Sequence, residues 1–103
     1  MNVESTAITL IGVPLEEGSG RRGAGMGPTA LRIAGIETML RELQHRVTDS
    51  GDLRPAPATD LPEDPKAHNL KIVGAFTRAL EAKVYEVASA GNFPLILGGD
   101  HSL

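Results

Sequence analysis

The segment Ala7-Ile8-Thr9-Leu10-Ile11-Gly12-Val13 constrains the fold more than any other. It is a nearly continuous apolar run, without the polar alternation of a half-exposed strand. Strands of this kind are buried on both faces, as in a parallel sheet covered by helices. At seven residues the run is far too short to span a bilayer as a helix. Pro14 ends it. Pro94-Leu95-Ile96-Leu97 is a second, shorter run of the same type near the other end of the chain.

Helical patterns lie between the two. Pro28 sits where the first helical residue belongs, because its missing N–H goes unused there. Ala30, Ile33, Ile36, Leu40 and Leu43 then follow at helical spacing, and Glu37 and Arg41 form an i,i+4 pair of favourable orientation. The spacing predicts one amphipathic helix from Pro28 to Gln44. Arg46-Val47-Thr48 reads as a short strand. Residues 54–65 hold four of the seven prolines, which predicts a long surface loop. A second helix is expected from about Pro65 to Ala90, with Ile72, Phe76, Leu80, Val84 and Val87 as its buried stripe and Gly91 as the residue that stops it. Strand, helix, strand, helix, strand builds a parallel α/β sheet with helices packed on it.

Composition narrows the function. The chain of 103 residues has a formal net charge of −3 and no Lys/Arg stripe, so nucleic acid is not an expected partner. Neither a membrane span nor a signal peptide is legible. There are no cysteines, which excludes disulfides and thiolate metal sites and fits a cytoplasmic protein.

In open α/β sheets, ligands bind beyond the carboxyl ends of the strands. Two loops qualify. One is glycine-rich, with Gly18, Gly20, Gly23, Gly25 and Gly27. The other is Gly98-Gly99-Asp100-His101-Ser102, where two glycines allow a sharp turn before a carboxylate and an imidazole. A neutral imidazole is a good ligand for a first-row metal, and a neighbouring carboxylate can ligate or orient it. Equally, Asp100 or Ser102 could cap a helix beginning near Leu103. The residues alone leave both readings open, since one histidine does not make a metal site. Gly18-Ser19-Gly20-Arg21-Arg22-Gly23 matches the dinucleotide fingerprint, the basis of an alternative reading as a nucleotide-binding module. Its spacing from Val13 is too long, and Glu16 and Glu17 would repel a pyrophosphate. His45, at a helix end where a cationic imidazole suits the dipole, and His68 are expected to face solvent. Asp49 and Asp52 are expected to be turn residues around Gly51, although both could face the site edge. Ser102 beside His101 has no orienting partner for a nucleophile pair.

Gly98-Gly99-Asp100-His101-Ser102 after an apolar strand resembles the first metal motif of the arginase and agmatinase (ureohydrolase) family. The resemblance extends through Ile11-Gly12-Val13-Pro14, Gly18, Arg21-Arg22-Gly23, Gly27-Pro28-Thr29-Ala30-Leu31-Arg32, Ala34-Gly35-Ile36 and Gly51-Asp52-Leu53, and so covers nearly the whole chain. It implies the three-layer α/β/α fold of that family, with strand order 2-1-3. It also implies residues 1–103 as the N-terminal part of one catalytic domain, truncated after the motif. By resemblance His101 is a ligand to one of two Mn²⁺ ions, Asp100 supports it, and Arg21 lies at the pocket rim. The implied reaction is hydrolysis of L-arginine to L-ornithine and urea by a metal-bridging hydroxide, with agmatine or another guanidino compound as the alternative substrate. Such chemistry makes sense. A guanidinium carbon is a poor electrophile, and metal binding lowers the pKa of water from about 15.7 toward 7. The family's Asp-x-His-x-Asp and later Asp-x-Asp motifs do not occur in this chain. No catalytic residue is therefore assigned within it, and alone it is expected to be inactive. A homo-oligomer is expected, because strands left without neighbours pair with other chains. A non-catalytic assembly protein is a third reading.

Overall fold

The computed structural model describes residues 6–15, 26–54 and 65–98, with side chains from residue 70 onward in the last segment. Among the described residues three strands and three helices follow one another: β1 (Ala7–Val13), α1 (Gly27–Ile33), α2 (Ile36–Glu42), β2 (Arg46–Asp52), α3 (Pro65–Ser89) and β3 (Phe93–Gly98). The strands form one parallel sheet in the order β2-β1-β3, as expected.

The central strand is β1, and its side chains alternate between two apolar clusters. Ile8 and Leu10 pack with Val47 and Leu97 on one face, where Ile36 and Leu40 of α2 cover them. Ile11, Val13 and Leu15 pack with Val87 on the other, against Ile72, Phe76, Leu80 and Val84 of α3. Burial on both faces is why the run needs no polar alternation. It also makes the unit a three-layer α/β/α arrangement, and the stripe expected of α3 is the one it buries.

The single helix expected from Pro28 to Gln44 is two helices. Gly35 takes a left-handed conformation (φ 95°), and its N–H donates to the Arg32 carbonyl at 3.1 Å, closing α1. Its own carbonyl then accepts from Met39 N–H at 3.0 Å in the first turn of α2. One residue thus ends one helix and opens the next. The break rotates the two halves of the apolar stripe out of line. Ile36 and Leu40 reach the core, while Ile33 is left 81% exposed and Leu43 59% exposed. At the end of α2, His45 N–H donates to Leu40 O and Gln44 N–H to Arg41 O, with Gln44 at φ 69°. This is a Schellman stop made without glycine. At the end of α3 the same pair of bonds runs from Asn92 to Val87 and from Gly91 to Ala88, with Gly91 at φ 84°, as the sequence predicts.

The second strand is longer than Arg46–Thr48. It continues to Asp52, and pairing with β1 slips between Leu10–Asp49 and Gly12–Asp52. One extra residue on β2 makes this a β-bulge. Gly51 has φ 80° there, and the Ser50 hydroxyl donates to the Leu10 carbonyl at 2.7 Å.

Candidate functional site

The carboxyl ends of β1 and β3 lie side by side, with Val13 registered opposite Gly98. The connection leaving β1 leads to β2 on one flank, while β3 lies on the other flank. In a doubly wound sheet this is the crevice where ligands bind. Gly98, the last described residue of β3, lies at the crevice and is the first residue of the Gly-Gly-Asp-His-Ser motif in the sequence.

Next to the crevice is a cluster that sequence reasoning missed. Arg32, in the last turn of α1, reaches the end of β2. Its Nε and Nη2 donate to Asp49 Oδ2 and Oδ1 at 2.8 and 3.0 Å, a two-point fork. Its Nη1 donates to Asp52 Oδ1 at 2.5 Å. All three nitrogens therefore serve the two carboxylates. In a regular strand, residues three apart point to opposite faces. The extra residue of the bulge turns Asp49 and Asp52 to the same side, so that one guanidinium meets both.

Gly12 provides the room. It points to the same face as Ile8 and Leu10, and a Cβ there would overlap Asp52 Oδ1 and come within 2.9 Å of Arg32 Nη2. Leu53 N–H donates to the Gly12 carbonyl at 2.8 Å, tying the strand ends together. Asp49 and Asp52 are thus strand residues paired to an arginine, not turn residues around Gly51. Two signals were present in the sequence: two aspartates flanking a glycine at a strand end, and Arg32 off the apolar stripe.

The electrostatics follow from the geometry. Burial pushes the Asp49 carboxyl up. The Arg32 hydrogen bonds, the Gly51 N–H at 2.8 Å and the Arg32 charge together outweigh this and hold it below its ordinary value. Arg32 is raised, chiefly by its hydrogen bond to Asp49, with desolvation opposing.

The sequence model of the Arginase family matches residues 6–103. The chain belongs to the arginase family. It is 44% identical over 98 residues to the arginase of Bacillus caldovelox, covering 93% of this chain and 33% of that relative. Human arginase-1 is 42% identical over 106 residues, covering all of this chain and 32% of the human protein. Among solved structures, B. caldovelox arginase superimposes with a TM-score of 0.80 at 42% identity, over 93% of this chain and 33% of that one. Bacillus subtilis arginase gives 0.79 at 37% identity, over 94% and 30%. The chain therefore spans about a third of the length of the relatives it matches.

Of the site residues that the arginase resemblance assigns, His101, Asp100 and Arg21 all lie outside the described residues, as does the glycine-rich stretch 18–23. The His68 side chain does too. His45 does not simply face solvent. It is half-buried, and its Nδ1 accepts a hydrogen bond from Thr6 N–H at 3.2 Å, joining the end of α2 to the start of β1. Among the described residues no group of three or more His, Asp or Glu could hold a metal ion, and no helix is long and apolar enough to cross a membrane. Asp49 and Asp52 are engaged by Arg32 and are not free donors.

Proposed function

We propose that this chain supplies the N-terminal part of the catalytic domain of a manganese-dependent arginase, which hydrolyses L-arginine to L-ornithine and urea. The observation that carries the reading is the crevice between β1 and β3, with Gly98 opposite Val13 and the Gly-Gly-Asp-His-Ser motif continuing from it. In this reading His101 is a metal ligand and Asp100 orients it. Arg21 lies at the rim of the substrate pocket.

The donors available here do not make up a metal shell. One imidazole and one adjacent carboxylate fall short of the three or more protein ligands such a site needs, and the described residues hold no group of three or more that could form one. No step of the reaction is therefore assigned to residues of this chain. Their contribution is to form the crevice at the carboxyl ends of β1 and β3, from which the sequence continues into the histidine-bearing motif. On its own the 103-residue chain releases no urea and binds Mn²⁺ weakly. A tight site by calorimetric titration would mean that a second chain completes the shell. Its partners in this reading are a guanidino substrate and further copies of the chain in a homo-oligomer, within the cytoplasm.

The test is a chimera in which residues 6–103 replace the matching third of B. caldovelox arginase. It should release urea from L-arginine in a Mn²⁺-dependent manner. Since losing a residue that only supports a metal ligand costs about 10–100-fold, His101→Ala should cost at least ~100-fold and Asp100→Asn somewhat less. A folded chimera that releases no urea, or whose activity ignores His101→Ala, defeats the reading.

A further inference from the structure

We infer that Arg32 is a positioning residue that holds α1 and the close of β1 against the end of β2, and thereby sets the geometry with which the crevice meets its substrate. The inference rests on the arginase reading of the crevice. Leu15, two residues after β1, and Pro28, in the first turn of α1, are each fully buried. Arg32 ties α1 to the end of β2 through three hydrogen bonds. The end of β2 is in turn tied to the end of β1, by the Leu53–Gly12 bond and by Asp52 seated in the space that Gly12 leaves. The close of β1 and α1 are thus both referred to one guanidinium.

Two features separate this from an ordinary surface ion pair. The side chains of Arg32, Asp49 and Asp52 are 20–26% exposed, a setting in which an ion pair adds little stability. Yet the fold gives up a regular ladder for it. The β2 bulge, with Gly51 in the left-handed region, is what brings both carboxylates to one face. A fork with defined directions sets position in a way that a point charge does not.

Arg32→Lys separates the two roles, since it keeps the charge and loses the fork. In the active chimera, KM for L-arginine should rise roughly tenfold, with kcat per metal-loaded site nearly unchanged. An unchanged KM, with only a lower melting temperature or fewer active sites, overturns the inference. A chimera that is inactive even with Arg32 intact defeats the arginase reading instead, and amide exchange on the 103-residue chain then decides. Arg32→Lys should speed exchange at Leu15 and Leu53 roughly tenfold more than along the β1–β3 ladder, because opening is local. Uniform acceleration across the sheet overturns the inference.

Discussion

Gly12→Ala tests whether the space beside β1 is required by the Arg32 cluster. The added methyl would overlap Asp52 Oδ1 and lie 3.0 Å from Asp52 Cγ and 2.9 Å from Arg32 Nη2. Asp52 can swing aside only by giving up the bond that its Oδ1 accepts from Arg32 Nη1. Overpacking of this kind costs about 1–3 kcal/mol. Displacing Asp52 also weakens an ion pair worth at most about 1 kcal/mol at this exposure. Against these, Ala restricts the unfolded chain and returns about 0.4–1 kcal/mol. The net loss lies within roughly 0–3.5 kcal/mol and is centred on about 2 kcal/mol, which for a domain of this size lowers the melting temperature by about 8–16 °C. Urea unfolding followed by circular dichroism gives the free energy. The decisive comparison is Gly12→Ala in an Asp52→Ala background, where the severe overlap is gone and only the tip of Arg32, with Nη2 2.9 Å away, has to give. There the substitution should cost less than about 0.5 kcal/mol, leaving a coupling of about 1 kcal/mol or more between the two sites. Equal losses in both backgrounds would refute the steric argument and locate the requirement for glycine elsewhere.

Further outcomes follow from the same geometry. Asp49 holds its proton less well in the folded chain than in the unfolded one, so its contribution to stability is present above about pH 4 and fades as the pH falls through the lowered folded value. Asp49→Asn should therefore be less stable at neutral pH and show a shallower acid-unfolding limb; an unchanged limb would remove Asp49 from the account. Gly35 has open space around it but φ 95°, so Gly35→Ala should cost about 1–2 kcal/mol from backbone strain alone, read by thermal unfolding. Gln44 carries the opposite mismatch at φ 69°, and Gln44→Gly should raise the melting temperature by a few degrees, corresponding to about 1 kcal/mol or less; no gain would mean that Gln44 is not strained. Among the described residues β2 and β3 each have one strand neighbour, and Phe93 and Ile96 are exposed on β3. The chain should therefore self-associate in size-exclusion chromatography with light scattering, and a compact monomer would count against it.

Much of the architecture is local and was therefore legible. A run such as Ala7–Val13 reads as a strand buried on both faces, and the stripe from Ile72 to Val87 as one face of a helix, and both are found. Right-handed crossovers then leave few ways to connect them, and Gly91 marks the stop of α3 by its own chemistry. The Gly-Gly-Asp-His-Ser motif, with the matching N-terminal stretch, carried the family. Tertiary structure decided what depends on distance in sequence. Arg32 is 17 residues from Asp49 and 20 from Asp52, and nothing in a linear spacing says that one guanidinium will meet both. That meeting needs the crossover that lays α1 over the sheet, the bulge that turns two carboxylates to one side, and a glycine on the neighbouring strand. The break at Gly35 was visible as a residue but not as an event, because glycine inside an apolar-periodic stretch is compatible with a continuous helix. Packing chose the break, since it lets Ile36 and Leu40 cover Ile8 and Leu10 at the expense of leaving Ile33 in water. Periodicity reports which residues prefer burial, and only the assembled sheet determines which of them find a surface to bury against.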